Sequence, residues 1–126
     1  MPTNFMLLQA IEKFHRFLGD DYMVSAPCLS DEPMSLQNLS RRLSERLVEM
    51  FRPDREGRTP ALAGIPLAAS DPHWKDLLLF HEYFHGETGQ GLGAMHQTGW
   101  TGLVANLVQR AYRHGIPQYW RTQAAA

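Results

Sequence analysis

Residues 80–100 read FHEYFHGETGQGLGAMHQTGW. This stretch gathers the carboxylate Glu82, the imidazoles of His81, His85 and His96, the aromatic pair Tyr83 and Phe84, a loop carrying Gly86, Gly89, Gly91 and Gly93, and Trp100 just beyond. Four glycines so close together break regular structure, so the segment reads as a chemistry-bearing loop presented by its flanks.

Working outward, the upstream flank Trp74 to Phe84 is apolar and aromatic. Its reading is a short helix, with a strand as the weaker alternative. Downstream, a helix is expected to start at Gln97 or Thr98, bury Trp100, Leu103, Val104, Leu107, Val108 and Ala111, and stop at Gly115 and Pro117. Before the apolar flank, Arg52 to His73 carries Pro53, Gly57, Pro60, Gly64, Pro66 and Pro72. It reads as a long loop with one turn around Ala61 to Leu67.

Further upstream lies the best-defined helix, from Ser35 to Met50. Leu36, Leu39, Leu43, Leu47 and Met50 share one face, Arg41, Arg42, Glu45, Arg46 and Glu49 take the other, and Ser35 is the expected cap. Asp20 to Pro33 has no sustained period and reads as a connection, in which Asp20 and Asp21 are solvated charges. Met1 to Leu18 places Phe5, Leu8, Ile11, Phe14 and Leu18 at helical spacing, ended by Gly19. Apolar residues begin at once, as though the chain starts inside an element. His15 and His114 are expected on helix surfaces.

At 126 residues with 12 basic and 13 acidic side chains, the chain is one domain at most and nearly neutral. Its basic residues are scattered among acids, so neither nucleic acid nor a membrane is an expected partner. The lone Cys28 makes no internal disulfide and reads as an inert thiol in a reducing cytoplasm. The longest apolar run, Leu77 to Phe80, is far too short to span a bilayer.

Two chemistries fit the central stretch. His81, Glu82 and His85 match the helical pattern in which two histidines one turn apart hold zinc and the Glu activates water. A third ligand is then required, and since Glu87 is the last acidic residue, His96 is the remaining choice. Gly86 would also interrupt that helix. Alternatively, Glu82 is one of the two carboxyl groups of an inverting glycosidase, which stand about 6.5–9.5 Å apart. Tyr83, Trp74 and Trp100 suit the faces of sugar rings, and His85, His96, Gln97 and Thr98 suit hydroxyls.

The run DPHWKDLLLFHEYFHGETGQGLGAMHQTGWTGLVANLVQR, residues 71–110, resembles the closing part of the catalytic domain of glycoside hydrolase family 63 and its glucosidase-like bacterial relatives. The Pro-x-Asn start at Pro2 to Asn4 and the stretch RPDREGRTPALAG, residues 52–64, extend the resemblance over nearly the whole chain. It implies an all-α fold, the last few helices of an (α/α)6 toroid with a glycine-rich active-site loop, residues 1–126 forming a C-terminal fragment of that domain. It implies inverting hydrolysis of an α-glycoside or oligosaccharide, without metal or other cofactor. Glu82 falls on the general base, and Tyr83, His85, His96, Gln97, Trp100 and Trp74 on the sugar-binding side. Met95 stands where relatives often carry a small residue.

The general acid implied by the resemblance lies in a part of the domain this sequence does not contain. A twelve-helix toroid needs roughly 350 residues, given helices of about 11–15 residues and their connections. Little turnover is therefore expected of the chain alone. The Leu36 to Met50 stripe and the aromatic side of Phe5 to Phe17 are expected to lack cover, which predicts self-association, partial disorder or dependence on the remainder of the glycosidase domain. The alternatives are a zinc hydrolase using His81, His85 and His96, and a non-catalytic helical interaction module.

Overall fold

The computed structural model describes residues 1–112 with the exception of Lys75. In chain order the elements are α1 (Pro2–Leu18), β1 (Met23–Val24), β2 (Met34–Ser35), α2 (Leu36–Glu49), a 3-10 turn (Pro60–Leu62), α3 (Pro66–Ser70), β3 (Tyr83–Phe84), β4 (Gly91–Leu92), α4 (Thr98–Thr101) and α5 (Val104–Tyr112). The long elements are helices, as expected. Two antiparallel ribbons, β1 with β2 and β3 with β4, were not expected. No helix among the described residues is long and apolar enough to cross a membrane.

The chain divides into two compact units. One comprises Met1–Pro2 and Arg46–Val104, the other Thr3–Glu45 and the residues from Ala105 onward. Helix α1, which lies in the second unit from Thr3 onward, begins at Pro2, whose fixed φ and missing N–H suit a first turn, and Gly19 closes it at φ +80 with its N–H on the His15 carbonyl. Ser35 caps α2 as expected, its Oγ accepting from the Asn38 N–H at 3.3 Å. Arg41 and Glu45 pair across one turn at 2.8 Å, and Arg42 donates to the Leu29 carbonyl.

The buried apolar side chains of this unit include Leu8, Met34, Leu36 and Leu107. A polar cluster lies beside them. Arg110 on α5 grips both oxygens of Glu12 on α1 at 3.1 and 3.0 Å, the Ser40 hydroxyl on α2 donates to the same carboxylate, and the Arg110 guanidinium lies 5.7 Å from the Phe5 ring centre. A forked, partly sheltered pair of this kind is stronger than an open surface pair. Because Arg110 and Glu12 keep 32% and 29% of their side-chain surface in water, Glu12→Ala is expected to cost about 1.5 kcal/mol rather than the penalty of a fully buried pair. Urea midpoints of Glu12→Ala, Arg110→Ala and the double variant check this, with the double expected to cost less than the sum.

Two expected faces are corrected. Leu36 is buried, but Leu39, Leu43 and Leu47 are only half-buried, and Ser40 and Val48 are buried instead. The inward side of α2 is thus rotated from the leucine stripe toward Ser40, whose hydroxyl is held by Glu12. His15 is not a surface residue: its side chain is 17% exposed, Nε2 lies 3.3 Å from Asp20, and Nδ1 is buried without a partner. The bareness expected of α1 is observed, with Met6, Leu7, Phe14, Phe17 and Leu18 all exposed.

In the first unit the buried apolar side chains are Met1, Val48, Ala61, Leu62, Leu79 and Val104. The proline-rich connection holds more order than one turn. Asp54 accepts the Glu56 and Arg58 N–H groups, and Pro60 and Pro66 each start a short helix from the first position where a missing N–H costs nothing. The expected final helix is two pieces. Gly102, a poor helix former, ends α4 with its N–H on the Thr98 carbonyl, and α5 restarts at Val104. Val104 and Leu107 are buried as expected, but Trp100 is 48% exposed and Thr101 takes the interior place. The expected stop at Gly115 and Pro117, like His114, lies outside the described residues.

Candidate functional site

Trp74 to Phe84 is not a helix. Leu77 closes a turn onto Trp74, and the chain then runs extended into β3. Pro72 and Gly86 leave a window too short for a stable helix, and the pair Tyr83 and Phe84 suits a strand. β3 meets β4 with Tyr83 opposite Leu92 and Phe84 opposite Gly91. Bonds from the Glu82 N–H to the Ala94 carbonyl (2.9 Å), the Phe80 N–H to Met95 (3.0 Å) and the Gln97 N–H to Phe80 (2.8 Å) carry the ladder outward to α4. The quoted stretch is therefore a hairpin whose base runs into a helix N-terminus.

Glu82 sits on this ladder with its carboxylate exposed, and among the described residues no side chain pairs with it. Its backbone is held on both sides. The N–H goes to Ala94, and the carbonyl accepts from the Trp100 indole Nε1–H at 3.1 Å. Tyr83 is 55% exposed and Trp100 48%, so two large aromatic side chains, one next to Glu82 in the chain and one bonded to its backbone, are open to solvent. Gly93, at φ +71, makes room for this group, because a Cβ there would come to 2.8 Å of both Glu82 Oε2 and Tyr83 Cε1.

Behind the carboxylate lies His81, which is 3% exposed. Its ring meets Phe84 edge-on with centres 6.3 Å apart and covers Gly91. Neither ring nitrogen has a hydrogen-bond partner, and burial pushes the imidazole below its ordinary pKa. The His81 carbonyl accepts from the hydroxyl of the fully buried Thr101. Consecutive carbonyls, at His81 and Glu82, are thus tied to consecutive side chains of α4.

The remaining sequence-derived candidates take different roles. His85 is exposed, and its Nδ1 accepts the Glu87 and Thr88 N–H groups at 3.3 and 3.4 Å. An Nδ1 that accepts these bonds leaves Nε2 as the ring's donor. His96 is exposed and pairs with Phe80 through the backbone. Gln97 is the N-cap residue before α4, half-buried, with no side-chain cap bond. Trp74 is half-buried in its own turn, and no hydrogen bond or ring contact joins it to the hairpin.

The zinc arrangement is not formed. Residues 81–85 are not helical, with β3 at Tyr83–Phe84, so His81 and His85 are not set one helical turn apart as the zinc pattern requires. Among the described residues no group of three or more His, Cys, Asp or Glu side chains is placed to hold a metal ion. Sequence reasoning missed Thr101 because a threonine inside an apolar helical stripe carries no distinguishing signal. The hairpin itself was detectable, since two strand-favouring pairs separated by a glycine-containing loop are the mark of one.

No protein-family profile matches the chain, and no solved structure matches it. It is 38% identical over 109 residues to the uncharacterized protein YMR196W of Saccharomyces cerevisiae, a match covering 85% of this chain and 10% of that protein. The chain therefore spans about a tenth of the length of the curated relative it matches.

Proposed function

We propose that this chain is the closing segment of an inverting α-glycosidase domain of the (α/α)6 type, related to glycoside hydrolase family 63, with Glu82 as its general base. The observation that carries the reading is the exposed Glu82 side chain, which has no hydrogen-bond or ion-pair partner among the described residues, on a backbone tied to Ala94 and to the indole of the exposed Trp100, next to the exposed Tyr83. A base that activates water must reach water and must not be consumed by a salt bridge. Sugar rings stack their apolar faces on aromatic side chains, while the Nε2–H of His85 and the side chains of His96 and Gln97 suit hydroxyls. The substrate class is an α-glycoside or oligosaccharide. The reaction also needs an acid, supplied by the remainder of the domain, and loss of one such group typically costs about 10² to 10⁴-fold in rate.

Binding, rather than turnover, is the direct test. Tryptophan fluorescence of the full 126-residue chain is titrated with maltose and with 1-deoxynojirimycin, a glucose-shaped cation. Both are expected to bind, the cation about tenfold more tightly, equivalent to about 1.4 kcal/mol, through the carboxylate. Glu82→Gln is expected to remove the cation's advantage and leave maltose unchanged. Absence of saturable binding by either compound sinks the reading.

A non-catalytic helical interaction module is the second reading, favoured by the bare apolar side of α1, where Phe17 is 86% exposed and Met6 62%. On the glycosidase reading that side is covered by the remainder of the domain or by a second copy. A pure interaction module would bind neither sugar.

A further inference from the structure

A buried histidine with two unpartnered nitrogens is an expensive choice where a phenyl ring would fill the same space without polar atoms. His81 is such a residue. It lies directly before Glu82, its ring fills the space over Gly91, and a Cβ on that glycine would overlap ring carbons Cγ and Cδ2. Its ring meets Phe84 of β3 and the Gly91 backbone of β4, its own carbonyl is held by Thr101 of α4, and the Ala61 carbonyl of the 3-10 turn lies against the same Gly91, none of these groups being charged. The titratable residues that follow it, Glu82, Tyr83 and His85, are all exposed. Among the described residues neither ring nitrogen has a hydrogen-bond partner and no carboxylate pairs with the ring, so it fits best while neutral.

We propose that His81 is the positioning residue for Glu82: seated as a neutral ring over Gly91 it holds the hairpin base in register, and on protonation it leaves, releasing the segment that carries the carboxylate. Two carbonyls fastened by Thr101 and Trp100 form one side of the clamp, and the ring forms the other. The sign follows from the seated ring being the neutral one. Its contribution is fully present above the ordinary histidine value of about 6.5 and is withdrawn as the pH falls through the lowered value of the folded chain. The inference rests on the glycosidase reading only where Glu82 is taken as the base.

Amide hydrogen exchange of the full chain tests the positioning without any sugar. The protection factor of the Glu82 N–H, which is bonded to Ala94, is followed from pH 7.5 to 5 against that of Leu47 in α2. In the wild type it is expected to fall at least tenfold relative to Leu47, with a midpoint matching the His81 Hε1 chemical shift. In His81→Phe it is expected to stay level. Maltose, which does not titrate, should lose affinity with the same midpoint in the wild type and not in the variant. A level wild-type profile, or a loss that persists in His81→Phe, overturns the proposal. If that variant does not fold, coincident wild-type midpoints support the proposal and separate midpoints overturn it. Protection that follows His81 in a chain that binds no maltose at any pH upholds the positioning and removes only the glycosidase reading.

Discussion

Gly91→Ala is expected to lower stability by about 3 kcal/mol, at the upper end for overpacking. A Cβ at this position would overlap the His81 ring and come to 2.6 Å of the Ala61 carbonyl oxygen. The ring is fully enclosed and the carbonyl belongs to the 3-10 turn, so neither moves aside without carrying other structure with it. Gly91 is also paired in the ladder opposite Phe84. Any shift that relieves the overlap therefore strains the hairpin, and the Glu82 segment loses its register along with stability. Gly86→Ala is the matched control, since a Cβ there meets nothing within 4 Å and its φ is not positive. It is expected to change stability by less than about 0.5 kcal/mol. Urea denaturation of both variants, followed by Trp fluorescence, decides the matter, and equal midpoints would show that the hairpin yields where packing says it does not.

Leu107→Ala is expected to cost a further amount of similar size, about 3 kcal/mol, by a different mechanism. Leu107 is 0% exposed, and its truncation removes buried methyl groups and leaves a cavity that a close-packed surround fills only in part. It sits on α5 one turn before Arg110, whose fork to Glu12 holds the helix in place and limits collapse into the void. Phe17→Ala provides the contrast. It deletes a larger side chain, but one already 86% exposed, so the loss is expected to be near zero. A comparable loss at Phe17 would mean that this side of α1 is covered in solution, which fits self-association.

How much could be read in advance depends on whether a signal is local or needs a partner. The spans of α1 and α2 follow from apolar spacing, from Pro2 and Gly19, and from the Ser35 cap, all properties of a few consecutive residues. The inward side of α2 did not follow, because Ser40 is buried by a bond to Glu12 that lies 28 residues away. The same distinction separates Val104 and Leu107, which apolar spacing places correctly, from Trp100 and Thr101. Indole and hydroxyl groups go where the carbonyls of Glu82 and His81 are.

By itself the sequence determined a mainly helical chain and the concentration of chemistry between Phe80 and Trp100, because composition and spacing within one segment suffice for each, whereas singling out Glu82 over Glu87 rested on the family resemblance. Only the tertiary structure decided that HEYFH is not helical and carries β3 at its centre, that His81 is a buried wedge while His85 is a turn residue, and that the Trp100 indole holds the Glu82 carbonyl. The reason is physical. A short aromatic segment has no strong preference of its own, and it became a strand here because Gly91, lacking a Cβ, lets the second strand close against the His81 ring.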